Sequence, residues 1–86
     1  MNVYDNPDDI AMHQIKNQEF AIVMQNNEEL VFEGWFKIEA FTSEKITLRL
    51  KRKSKVFIYG FGLKIGTICP NEIGIKGVIK SIEFGK

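Results

Sequence analysis

The amino-acid sequence predicts an all-β fold: a small bent sandwich, Ig-like in outline, of five to six mainly antiparallel strands. After residue 19, short apolar stretches alternate with turn-forming residues along the whole chain, a spacing typical of strands. In addition, the pattern apolar, any, apolar, any, glycine occurs three times, at residues 30–34, 56–60 and 73–77. Because a glycine inside a strand marks a bulge, a bend or a close backbone approach, the three glycines indicate long strands that curl around one core.

The predicted strands are separated from one another by clear turn signals. The third strand is the clearest, because Ile46, Leu48 and Leu50 alternate with polar residues. The predicted strands are residues 20–25, 30–41, 46–50, 56–65 and 73–84. The predicted turns are Asn26-Asn27, Thr42-Ser43-Glu44, the charged run 51–55 and the proline-containing run 69–72. Short connections of this kind predict a meander.

The first 19 residues are polar and precede the predicted single β domain of residues 20–86. Asn6 as a cap, Pro7 at the first helical position, and the acids Asp8 and Asp9 are typical of a helix start. Such a helix would cover about residues 7–16, but short isolated helices are marginal. This segment is therefore predicted to be either a short helix or a flexible lead.

The core is predicted from the apolar residues on one side of each strand and just beyond each glycine. These residues are Phe32, Phe36, Ile38, Ile46, Leu48, Leu50, Ile58, Leu63, Ile65, Ile75 and Ile79.

Charge is distributed unevenly although the net charge is only +1. Residues 1–29 carry six acids and one lysine, whereas residues 30–86 carry eleven bases and five acids. A near-neutral total argues against general nucleic-acid binding, but the asymmetry leaves room for one basic patch. No apolar run approaches the ~20 residues of a membrane helix, so a cytoplasmic protein without membrane insertion is expected.

Catalytic and metal-binding motifs are not recognisable in the sequence. The single histidine, His13, lies in the polar lead, and the single cysteine, Cys69, precedes a proline in a turn, where it is expected to be half-buried and unreactive. One histidine and one cysteine cannot build a zinc site, and no phosphate-binding glycine loop is complete. We therefore expect no enzyme activity, no metal and no cofactor.

A basic run followed by aromatic residues is the first candidate interaction surface. Its basic members are Lys51, Arg52, Lys53 and Lys55, and its aromatic members are Phe57, Tyr59 and Phe61 on one side of the next strand. Cations that hold phosphate beside stacking aromatics are typical of nucleic-acid surfaces. The simpler interpretation is favoured, in which the turn is merely solvated and the strand is buried between two layers.

Trp35 is the second candidate, as an anchor for a protein partner. Simple alternation places it opposite Phe36 and Ile38 and partly exposed. A bulge at Gly34 would turn it inward, and this alternative is slightly favoured.

From residue 20 to residue 84, the sequence resembles the YabP/YqfC sporulation proteins of endospore-forming bacteria. The first part of the resemblance is the segment 30–34, with Ile38, Phe41-Thr42-Ser43-Glu44 and Ile46-Thr47-Leu48. The second part is similar to the YqfC branch and comprises segments 56–60, 63–65, 68–73 and 77–84, where Cys69 replaces a frequent leucine. The first 19 residues lie outside the comparison.

The resemblance implies a non-enzymatic, β-sandwich-like structural or interaction protein that acts in building the spore envelope. It further implies a cytoplasmic location in the mother cell or forespore, and protein partners that include membrane-associated sporulation proteins. A homodimer through a strand edge is compatible with this interpretation, and binding of nucleic acid is not expected.

A rival resemblance is the Sm-like RNA-binding fold, a small barrel. Residues 22–48 are similar to its first motif and residues 56–65 to its second. However, the expected aspartate is missing around Ala40-Phe41-Thr42, and Tyr59 stands where an arginine would precede Gly60. The segment 73–84 is also a third unit that such a barrel does not require.

Overall fold

The computed structural model describes residues 2–4, 14–16 and 19–85, and within these residues the chain is built almost entirely from strands. A short 3₁₀ helix, Lys51–Lys53, separates the sixth and seventh strands. The strands are β1 (Asn2–Tyr4), β2 (Gln14–Lys16), β3 (Phe20–Gln25), β4 (Glu29–Gly34), β5 (Lys37–Phe41), β6 (Lys45–Arg49), β7 (Lys55–Cys69) and β8 (Glu72–Gly85).

All eight strands belong to one antiparallel sheet with the order β2-β3-β4-β8-β7-β6-β5, and β1 also pairs with β8. Six of these strands lie within residues 20–85, so the predicted all-β fold of five to six antiparallel strands is confirmed. Consecutive predicted strands pair as a meander requires, but the predicted strand over residues 30–41 is divided into β4 and β5, and β4 pairs in addition with β8. In the described part of the chain the sheet is not closed, which disfavours the Sm-like barrel.

The long hairpin formed by β7 and β8 connects two layers of the bent sheet. Residues 55–59 of β7 pair with β6 on one side and with the end of β8 on the other. Residues 64–69 of β7 pair with the beginning of β8, which in turn pairs with β4. Each long strand therefore contributes to both layers, and the pairing between them is irregular where they bend, between Tyr59 and Lys64.

Glycine is required at two positions of this bend. A side-chain carbon on Gly60 would collide with the carbonyl oxygen of Val78. Gly77 has a φ of +131°, and a side-chain carbon there would lie 2.6 Å from the carbonyl oxygen of Gly62. The prediction that glycines bend long strands is confirmed at both positions.

Two turns hold the bend in place from opposite sides. The backbone N–H groups of Gly60 and Leu63 donate to the carbonyl oxygens of Glu44 and Ser43, at 3.0 and 2.8 Å. On the other side, the N–H groups of Gly77 and Ile79 donate to the carbonyl oxygens of the turn that connects β3 and β4, at 3.0 and 2.8 Å. These bonds satisfy backbone donors that the irregular pairing at the bend leaves free.

Gly34, which ends the first of the three repeats, behaves differently from Gly60 and Gly77. The sequence predicted one bent strand over residues 30–41, but β4 ends at Gly34 and β5 begins at Lys37. The N–H of Gly34 donates to the carbonyl oxygen of Asn71 at 2.8 Å, which anchors the end of β4 beside the β7–β8 turn. Gly34 therefore marks a crossover between layers and not a bend within one strand.

Eight of the predicted core residues are buried, while Phe36 and Ile65 pack half-buried against them. Ile38 was predicted in the core, but it is 37% exposed because β5 is an edge strand that the opposite layer does not cover. Phe20 links the layers, since its ring stacks on Phe32 at 5.5 Å and on Phe84 at 5.7 Å. Further buried residues that the prediction missed are Ile22, Met24, Leu30, Val56, Ile73 and Ile82.

One of the two alternatives predicted for the N-terminal segment, a short helix over about residues 7–16, is wrong at its C-terminal end. Residues 14–16 form β2, which pairs with residues 21–23 of β3. The remaining positions of that helix, 7–13, lie outside the described residues.

Candidate interaction surfaces

The outer side of β7 carries an aromatic stripe. Val56, Ile58 and Gly60 are buried, and the alternating residues point to the opposite side of the sheet. On that side, Phe57 and Tyr59 are half-buried and Phe61 is 52% exposed. The favoured interpretation of a strand buried on both sides is therefore wrong, because the second layer covers only one side of β7.

Two lysines flank this stripe from neighbouring strands. Lys45 of β6 places its Nζ 5.1 Å from the ring centre of Phe57 and 5.4 Å from that of Tyr59. Lys80 of β8 places its Nζ 4.9 Å from the ring centre of Phe61. These cation–π contacts hold positive charge over the exposed rings. We call these five residues the aromatic face.

Two of the four basic residues in and next to the turn before β7 are paired with carboxylates. Arg52 lies 3.6 Å from Glu19, and Lys55 lies 2.7 Å from Glu39. Both pairs are at least partly exposed, and pairs of this kind contribute about 0–1 kcal/mol. Lys51 and Lys53 are exposed in the 3₁₀ helix. The cations best placed to act together with the aromatic stripe are thus Lys45 and Lys80, which sequence reasoning missed because they lie far apart in the chain.

Trp35 lies in the crossover that leads from β4 into β5 and is 39% exposed. Trp35 is therefore partly exposed, as simple alternation predicts, and is not turned into the core as the favoured alternative predicts. Since β6 lies between β5 and β7, the structure places this tryptophan beside the β5 edge and not within the aromatic face.

The β5 edge is a second exposed region that the sequence did not reveal. All five residues of β5 are exposed, including Ile38 at 37% and Phe41 at 47%. Cross-strand partners share a side of the sheet, and those of Ile38 and Phe41 are the fully buried Leu48 and Ile46. Ile38 and Phe41 therefore face the interior of an open sandwich, at a rim that the other layer leaves uncovered.

Reactive side chains do not converge in the part of the chain that the structure describes. No group of three or more His, Cys, Asp or Glu residues there could hold a metal ion. Cys69, expected to be half-buried, is an exposed free thiol at the end of β7, and His13 lies outside the described residues. Among the described residues, no helix has the length and apolar character required to cross a lipid bilayer.

Fold and surfaces together define a small open β-sandwich whose distinctive features are exposed faces and edges. The chain belongs to the YabP family, whose model matches residues 16–86. Membership of this family suggests a sporulation-associated protein. Comparison with curated proteins and with solved structures gave no significant match.

Proposed function

We propose that the protein is a non-enzymatic interaction module in assembly of the spore envelope, and that it binds a protein partner through the aromatic face. The observation that carries this proposal is the outward position of Phe57, Tyr59 and Phe61 beneath the ammonium groups of Lys45 and Lys80. Half-buried aromatics have little side-chain entropy to lose on binding, so they are effective anchors at protein interfaces.

The chemistry of the aromatic face selects the kind of partner. Two ammonium groups favour acidic groups, and the rings between them favour apolar side chains. An acidic segment with interspersed aliphatic or aromatic residues fits both requirements. Within the family context, the partners we propose are membrane-associated sporulation proteins, which this protein would bind from the cytoplasm of the mother cell or forespore. The closing segment 77–84 favours the YqfC-like branch of the family.

A binding role is preferred to a catalytic one for a chemical reason. Catalysis of group transfer requires a nucleophile or general base held within hydrogen-bond reach of a second functional group. The aromatic face offers lysines and rings, which bind charge and apolar surface and do not form such a pair.

Loss of the aromatic face is expected to abolish the function while leaving the fold intact. The double variant Y59S/F61S removes two anchors, and each anchor at an interface typically contributes about 2 kcal/mol or more, so the affinity for the partner should fall by about 4 kcal/mol, or roughly 700-fold. In an endospore-forming host, the double variant should yield as few heat-resistant spores as the gene deletion.

The matched control is V23S, which changes a residue on β3 that is 40% exposed and lies away from the aromatic face. It should sporulate like the wild type. Pull-downs from sporulating cells with and without nuclease identify the class of partner. Normal spore numbers for Y59S/F61S would contradict the proposal, and nuclease-sensitive capture would favour RNA over protein.

A further inference from the structure

The β5 edge differs from an ordinary solvated edge in its composition. Natural edge strands are usually protected by charge, proline, short length or twist, because their free N–H and C=O groups template pairing with another chain. β5 carries Lys37 and Glu39 but also the exposed Ile38 and Phe41, and Trp35 precedes it. Three of the seven large apolar side chains that are exposed in the described residues thus cluster within residues 35–41.

The sequence of this edge is self-complementary. In an antiparallel pair of identical strands related by a two-fold axis at Ile38, each Lys37 lies opposite Glu39 of the second copy. The same register places the two Ile38 side chains opposite each other. Opposite charges and apolar pairs placed directly across strands stabilise pairing.

We propose that β5 pairs with β5 of a second copy of this chain in the register centred on Ile38. Other registers are poorer for an electrostatic reason. An axis at Glu39 would bring two carboxylates face to face, and an axis at Ala40 would leave Lys37 without an opposite charge. Pairing centred on Ile38 would also cover the rim residues Ile38 and Phe41, which the second layer leaves exposed.

Two features of the edge limit the strength of this dimer. The β5–β6 ladder is irregular between Ile38 and Ala40, which places a bulge at Glu39 and shortens the regular edge. Glu39 already contacts Lys55 at 2.7 Å, although a carboxylate can accept hydrogen bonds from both lysines. A pair of five-residue strands buries little surface, so the dimer is weak. The fraction of protein in the dimer therefore rises as the protein concentration increases.

Charge-swap variants test the register directly. K37E places two glutamates opposite each other on both sides of the axis, and E39K does the same with two lysines. Each variant should raise the dimer dissociation constant about tenfold, because two favourable pairs become unfavourable. An equimolar mixture of the two should form a heterodimer at least as tight as the wild-type dimer, because every pair is then complementary.

Sedimentation equilibrium over a range of protein concentrations measures these constants. The matched control is K64E, which changes an exposed residue of β7 outside the edge and should dimerise like the wild type. Circular dichroism of each single variant verifies that it is folded, since E39K also loses the contact with Lys55. A wild type that stays monomeric, or a mixture no tighter than the single variants, would overturn the proposal.

Disulfide capture provides a second readout that does not depend on charge. Residues directly opposite each other in an antiparallel pair have Cα atoms about 4.5–5.5 Å apart, within the range that a disulfide spans. In a C69S background, I38C should therefore form a cross-linked dimer under mild oxidation. The control E33C lies on β4, which is paired on both sides, and should cross-link far less. Equal cross-linking of the two variants would overturn the assigned register.

This dimer rests on other residues than the proposed function does, because β5 contributes none of the five residues of the aromatic face, although Lys45 of that face lies on the neighbouring strand β6. If both hold, one dimer displays two aromatic faces and can engage a repetitive partner with avidity. Charge-swap variants that fail to dimerise but still capture the partner would separate the two conclusions.

Discussion

G60A is expected to lower the free energy of unfolding by about 3 kcal/mol, and G77A by a similar amount. At Gly60 the added methyl group meets the carbonyl oxygen of Val78, which belongs to the backbone of the paired strand and cannot rotate away. At Gly77 the added group meets the carbonyl oxygen of Gly62, and the φ of +131° is unfavourable for any residue with a side chain. Either substitution forces the bend to open and pulls the two layers apart.

Urea denaturation followed by circular dichroism and by the fluorescence of Trp35 measures this loss. The matched control is G66A, also on β7, where the nearest neighbour is the flexible Lys76 side chain at 3.3 Å. Its effect should stay within about 0.5 kcal/mol, and lower entropy of the unfolded chain can even make it stabilising. If G60A were as stable as G66A, the hairpin would not be bent at Gly60.

The strands and turns of this fold could be predicted from the sequence because their signals are local. Alternation around Ile46, Leu48 and Leu50 reflects the two sides of one strand, and the pair Asn26-Asn27 has positive φ values of 52° and 44° in the structure. Pairing between β4 and β8 could not be predicted, because it joins segments about forty residues apart in the chain. Nothing in the composition of either strand distinguishes this partner from the neighbour in sequence.

Gly34 shows a second limit of sequence reasoning. The segment 30–34 has the same pattern as segments 56–60 and 73–77, yet only the latter two continue as one strand through the bend. A glycine permits a bend, a crossover or a strand end equally well. Because the chain breaks at Gly34, β5 lies at the edge of the sheet. Ile38, which was predicted in the core, is therefore exposed.

The aromatic face illustrates the same difficulty at the candidate site. Alternation correctly placed Phe57, Tyr59 and Phe61 on one side of a strand. It could not decide which side is covered, because the buried side, with Val56 and Ile58, is equally apolar. Only the position of the second layer resolves this choice, and that position depends on contacts between distant parts of the chain.

F32A is the second substitution with a large expected effect, about 3–5 kcal/mol of lost stability. Phe32 is fully buried on β4, stacks on Phe20 at 5.5 Å and meets the edge of Phe36 at 5.8 Å. Removing the ring leaves a cavity where the two layers meet, lined by aromatic rings that cannot easily collapse into it. A domain of this length has a total stability of roughly 4–13 kcal/mol, so the variant should lie close to the limit of folding.

Thermal unfolding followed by circular dichroism should show a Tm lower by on the order of 20 °C for F32A. The control is F61A, which removes an equally large ring from the exposed side of β7 and should cost no more than about 1 kcal/mol. Comparable losses in the two variants would mean that the outer side of β7 is packed like a core. A clear difference would instead show that an aromatic ring can be removed from the outer side without unfolding the domain, so a sporulation defect of Y59S/F61S would reflect lost binding.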